Sequence, residues 1–103
     1  MSISVSDIAE ALAQTVEVTE DTLTAHLIDG RTISAPVTWF PRLVHGTLAE
    51  RSNWRLVGKG EGIHWPDLDE DISVSSLLAG RRSAESAESL RRWLSRRAER
   101  SAR

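Results

Sequence analysis

The sequence contains no cysteine. That removes disulfides, thiol chemistry and cysteine-ligated zinc together, and it fits a reducing compartment. It also lacks a long apolar run. Its longest stretch falls far short of the ~20 residues that a membrane-spanning helix needs, so no membrane role is expected. The opening residues, Met1-Ser2-Ile3-Ser4-Val5, have no basic region followed by an apolar segment, as a secretory signal would. A cytoplasmic protein is the expectation. Local signatures of common catalytic sites are missing too. No serine sits in a Gly-x-Ser-x-Gly turn. His26, His45 and His64 form no His-x₃-His pair and no zinc-helix motif. The sequence therefore predicts no catalytic residue, no metal ligand and no cofactor.

What is present suits one small domain. A chain of 103 residues, 40% hydrophobic, supports a single modest core. Such a core is marginally stable, and homodimerisation would be a natural supplement. The net charge of −2 conceals an asymmetry. Residues 81–103 carry eight arginines against three glutamates, a net of +5, whereas the preceding 80 residues sum to −7. An acidic body with a basic tail is a pattern for an interaction segment.

The apolar period changes along the chain. Residues 5–14 read as a short helical extension, with Ser6 as N-cap and Ile8, Ala11 and Leu12 on one face. From Val16 the period becomes two: Val16 and Val18, then Leu23, Ala25 and Leu27, then Ile33 and Ala35. This predicts a three-stranded antiparallel meander over 15–36. Asp29-Gly30 between the second and third strands reads as a two-residue hairpin with positive φ at both positions. Pro41 opens a short helix that runs to Gly46. Thr47-Leu48-Ala49-Glu50 reads as a capping box for another. Trp54–Val57 and Ile63–Trp65 read as strands joined by a glycine-rich turn. Ser73 caps a helix over Val74–Ala79, ended by Gly80. The fold class expected is α+β: one small antiparallel sheet of about five strands with short helices on one side, plus a C-terminal amphipathic helix. The domain plan is an extension over 1–14, an α+β domain over 15–80 and a basic helical tail over 81–103.

Two motifs tempt a chemical reading. Gly58-Lys59-Gly60-Glu61-Gly62 looks like a phosphate loop, but such loops open directly into a helix, whereas Ile63-His64-Trp65 reads as strand. A hairpin turn fits better. Asp67, Asp69 and Asp71 alternate as in a calcium loop, yet the positions that need Gly and Glu hold Ile72 and Leu78. The expected role is a solvated acidic loop, or an acidic docking surface for a partner. An enzyme or metal site built on His64 with Asp67, Asp69 and Asp71 is the competing reading.

Three of the four tryptophans, Trp39, Trp54 and Trp65, read as core. Trp93 lies in the Arg-rich tail and reads as a docking anchor for a protein partner. Along the tail, Ala84, Ala87, Leu90, Leu94 and Ala98 form a stripe with Trp93 at its edge, and Arg92, Arg96 and Arg100 lie opposite. Those three arginines are candidate nucleic-acid contacts. The same helix could dock on an acidic protein, or simply pack on the body.

Several strings together resemble a known family. They are Leu27-Ile28-Asp29-Gly30-Arg31, Trp39-Phe40-Pro41-Arg42-Leu43, Glu50-Arg51-Ser52-Asn53-Trp54, the long run Gly60 to Ser73, and Leu77-Leu78-Ala79-Gly80. The chain over Thr15–Gly80 resembles the bacterial domain-of-unknown-function 2442 family. The resemblance implies a small prokaryotic α+β protein, often encoded beside a small partner in an apparent toxin–antitoxin pair. Some members carry a DNA-binding helix-turn-helix after the domain, for which the 23 residues after Gly80 leave no room. The family supplies no catalytic residues to carry over. The function expected is a non-enzymatic, antitoxin-like binding protein acting on a protein partner such as a toxin encoded nearby, with DNA as a second partner. A small adaptor without a nucleic-acid role is the alternative.

Overall fold

The computed structural model describes residues 11–101. The meander forms as its period-two pattern requires. Strands β1 (Ala13–Val18), β2 (Thr22–Leu27) and β3 (Thr32–Pro36) make an antiparallel sheet in the order β1-β2-β3. Leu23, Ala25 and Leu27 point into the core, while Thr24 and His26 lie on the opposite face. Thr19 sets the first turn, its hydroxyl oxygen accepting from the Asp21 and Thr22 N–H groups at 3.3 and 3.0 Å. The helical reading of 5–14 fails at its end, since Ala13 and Gln14 belong to β1; residues 5–10 of it lie outside the described residues.

The second turn is a hairpin of a different type from the one expected. The Gly30 N–H donates to the Leu27 carbonyl at 3.1 Å, and the Leu27 N–H donates to the Arg31 carbonyl at 2.8 Å. Of the two turn residues only Gly30 has positive φ, +94°. The loop is thus three residues, Ile28 to Gly30, a type I turn followed by a glycine bulge. Asp29 avoids the left-handed region by accepting from the Arg31 N–H at 3.0 Å.

After β3 a 3₁₀ turn (Val37–Trp39) leads into helices α1 (Pro41–Val44) and α2 (Leu48–Ser52). The capping box is present in full. The Glu50 N–H donates to Thr47 Oγ1 at 3.1 Å, and the Thr47 N–H donates to Glu50 Oε1 at 2.9 Å. Strands β4 (Arg55–Val57), β5 (Gly62–Trp65) and β6 (Glu70–Ser73) then form a second antiparallel sheet, followed by α3 (Val74–Leu78) and α4 (Ala87–Ser101).

Among the described residues the protein is α+β with two three-stranded sheets, not one sheet of about five strands. No ladder joins β3 to β4, because residues 37–53 fold into helical turns between them. β6 was unforeseen because its carboxylates mask the alternation: Ile72 is buried between exposed Asp71 and Ser73. The sheets meet at Gly60. Its carbonyl accepts from the Ala13 N–H at 2.7 Å, and a Cβ at Gly60 would stand 2.4 Å from the Ala13 carbonyl oxygen. With φ at +104°, this position requires glycine twice over.

The core between them holds Leu23, Val37, Leu43, Ile63, Trp65, Leu68 and Val74, each almost wholly buried. Two polar groups stitch it. The Trp65 indole N–H donates to the Arg51 carbonyl at 3.0 Å. The buried Arg51 guanidinium donates to the carbonyls of Leu43, Val44 and Thr19 at 2.8, 3.0 and 2.9 Å. It satisfies the end of α1 and the first turn together, as a buried cation must be satisfied. Among the described residues no helix is long and apolar enough to cross a membrane.

Candidate functional site

Helix α4 begins at Ala87, within the 81–103 tail, and the inner face differs from the alanine–leucine stripe. Ala84, Ala87 and Ala98 are exposed, whereas Glu85, Ser89, Leu90, Leu94 and Arg97 are partly buried. Trp93 is at the centre of that face, not at its edge, and only 5% exposed. It therefore closes the core and does not stand out as a surface anchor. The cause is a set of charged contacts that helical periodicity does not reveal.

Two guanidiniums lie over the Trp93 ring, Arg42 at 5.1 Å and Arg97 at 4.7 Å from its centroid. Each is tied to a carboxylate. Arg42 donates to Glu85 through Nε and Nη2, at 2.6–3.0 Å, with the two side chains 13% and 9% exposed. Arg97 donates to both Glu50 oxygens at 2.9 and 3.1 Å. These hydrogen bonds hold the Glu85 and Glu50 carboxyls below the usual glutamate range and raise both arginines. Glu50 thus serves the capping box of α2 and the docking of α4 at once. The linker adds the Ser83 N–H, donating to the Trp39 carbonyl at 3.0 Å, and Arg82 over the Trp39 ring at 5.0 Å.

The same arginines reach the acidic segment. Arg42 Nη1 donates to the Asp69 carbonyl at 3.0 Å, and Arg97 Nη1 to the Asp67 carbonyl at 3.4 Å. Asp69 sits at φ +50°, a conformation Asp tolerates better than most residues. The three aspartates do not converge. Asp67 accepts from the Asn53 amide at 2.8 Å, Asp69 lies 3.6 Å from Arg42, and Asp71 pairs with His64 Nδ1 at 2.7 Å. The site imagined from His64 with Asp67, Asp69 and Asp71 is therefore not assembled; β5–β6 register brings only His64 and Asp71 opposite each other. Among the described residues no group of three or more His, Asp or Glu is placed to hold a metal ion. His26 faces outward as its strand period implies, 3.3 Å from Thr32 Oγ1 and 3.6 Å from Glu17, and His45 is exposed.

Arg92, Arg96 and Arg100 are exposed on α4, one helical turn apart. Among the described residues none of them enters an ion pair, in contrast to Arg91, which is paired with Glu88 at 2.7 Å.

Residues 13–83 match the family described as protein of unknown function (DUF2442). The chain belongs to the DUF2442 family. The DUF2442 region stops before α4, yet it contains Arg42 and Glu50, the residues that seat that helix. No curated protein matches the chain. Two solved structures share the fold. A protein of unknown function from Rhodospirillum rubrum has 24% identity and a TM-score of 0.64, over 74% of this chain and 94% of that one. An uncharacterised protein, CV0863, from Chromobacterium violaceum has 22% identity and a TM-score of 0.63, over 78% of this chain and 73% of that one.

Proposed function

We propose that this DUF2442 protein is a non-enzymatic, antitoxin-like binding protein, and that α4 is the face it offers to DNA. The observation that carries the reading is the row of Arg92, Arg96 and Arg100, exposed and, among the described residues, without ion-pair partners on a helix whose other face is fixed to the domain. Side chains four residues apart rise about 6 Å along a helix, so the row is a rigid line of cations. A helix already ordered spends less conformational entropy on binding than a free tail would. Its charge suits phosphates, which attract arginine regardless of sequence. The side chains of Asp67, Asp69 and Asp71 are exposed, and we assign them to the protein partner. A binding role fits these residues better than catalysis, because each aspartate is tied to a different structural neighbour.

The test is a salt series of duplex DNA binding by fluorescence anisotropy. Affinity should fall steeply with salt. Replacing Arg92, Arg96 and Arg100 with alanine should weaken all sequences alike and flatten the log–log slope by about three units at most. An unchanged slope in the triple variant would refute the DNA role of α4. Co-purification with the product of the adjacent reading frame tests the partner. Loss of that product on Asp67→Asn with Asp71→Asn, with DNA binding retained, is the expected result.

A further inference from the structure

A groove of about 850 Å³ runs between the second sheet and the linker that leads to α4. β6 and its flank, residues 69–73, form one wall, and residues 81–85 form the other. Phe40, Val57 and Ile72 give it an apolar side. Most of the charges around it are already matched. Arg42 is paired with Glu85 at 2.6 Å and reaches Asp69 at 3.6 Å, and Asp71 is paired with His64 at 2.7 Å. Three are not. Among the described residues Glu70 has no cation within ion-pair distance, and neither Arg81 nor Arg82 has a carboxylate, Arg82 lying instead over the Trp39 ring. Glu70 belongs to β6, Arg81 to the facing linker.

We propose that this groove binds a small zwitterion with an apolar body, of the free amino-acid class. Its ammonium lies at Glu70, its carboxylate at Arg81, and its side chain against Val57 and Ile72. The assignment follows from complementarity: among the described residues one wall presents a carboxylate and the other arginines without ion-pair partners, with apolar side chains beside them. One Glu70 oxygen already accepts from the Asp71 N–H at 3.0 Å, which fixes the carboxylate at the wall. Burial pushes the Glu70 carboxyl above the usual range. A bound ammonium would supply the counter-charge that the fold leaves out. Arg82, stacked over Trp39, keeps the linker wall in place beside Arg81.

The probe is leucine, titrated into ¹⁵N-labelled full chain and followed by amide chemical shifts. Two controls each lack one charge: 3-methylbutylamine and 4-methylpentanoate. Leucine should give saturable shifts at Asp71, Ser73 and Ser83. Each control should bind roughly tenfold more weakly, the factor for one lost charged contact of about 1.4 kcal/mol. Glu70→Gln and Arg81→Ala should each weaken leucine by a similar factor. Arg81 is exposed, so that variant keeps the fold even if the other does not. The proposal is overturned by the absence of saturable shifts at the groove. Equal response to the three probes, or unchanged leucine affinity in Arg81→Ala, would overturn it as well.

Discussion

The two sheets share a topology and are held together by different means. The first has strands of six, six and five residues, joined by short turns and buried on one face by an alternation that only a register shift between Ala13 and Thr15 interrupts. The second has strands of three, four and four residues, too short to bury much on their own. Its support comes from far along the chain: Arg51 beneath Trp65, Gly60 against Ala13, and the Arg42–Glu85 and Arg97–Glu50 pairs that lay α4 beside it. A long alternating sheet stabilises itself locally, whereas a short one depends on side chains that arrive from other elements.

The sharpest way to break this contrast is at Trp65. It is fully buried and its indole N–H is hydrogen-bonded, so Trp65→Ala should cost about 3–5 kcal/mol in urea denaturation. A cost below that of Leu23→Ala in the first sheet would contradict the dependence argued here. Next is the tail clamp. Arg42→Ala strands the largely buried Glu85 carboxylate, at a cost of about 3 kcal/mol. A double-mutant cycle with Glu85→Ala should recover part of that, and full additivity would show that the pair does not couple.

The glycines offer a smaller and cleaner comparison. Gly60→Ala forces a Cβ onto the Ala13 backbone and should cost about 2 kcal/mol or more. Gly30→Ala has equal need of positive φ but open space around it, so about 1 kcal/mol is expected. Equal melting shifts in the two variants would mean that contact between the sheets contributes nothing at Gly60.

Acid should separate the tail from the rest. Glu85 and Glu50 titrate lower in the folded protein than their ordinary value of 4.5, chiefly through Arg42 and Arg97. Their stabilisation is complete above about pH 4.5 and is lost as pH falls through the depressed folded values. Trp93 fluorescence should then change in acid before the first sheet melts. Glu70 has the opposite sign. Its folded value is raised by burial, so its favourable contribution exists at low pH and disappears as pH rises through that value. Glu70→Gln should accordingly raise the melting temperature at pH 7. The smallest effect on stability belongs to the outer row: Arg92→Ala, Arg96→Ala and Arg100→Ala should each stay within about 0.5 kcal/mol, because those side chains are exposed and, among the described residues, form no ion pair.

Much of this was legible in the residues. Period-two alternation located β1 to β3, Thr47 and Glu50 marked the start of α2, and Ser73 and Gly80 bracketed α3, because each signal involves neighbours a few residues apart. The outward placement of Arg92, Arg96 and Arg100 was legible for the same reason. Trp93 was misread because helical spacing reports which residues share a face, not what that face meets. Arg51 gave no signal as a buried cation; only a count of the carbonyls left open at the end of α1 would have pointed to it.

By itself, the sequence determined the local chemistry of this protein: strand alternation, helix caps, glycine turns and a tail of net positive charge. Only the tertiary structure decided that there are two sheets, that the aspartates are dispersed, and that Trp93 is covered by arginines 51 residues away and on its own helix. The physical reason is range. Backbone preferences and caps act within a turn or two, whereas pairs such as Arg42–Glu85 and Arg97–Glu50 span 43 and 47 residues and exist only once the chain has folded.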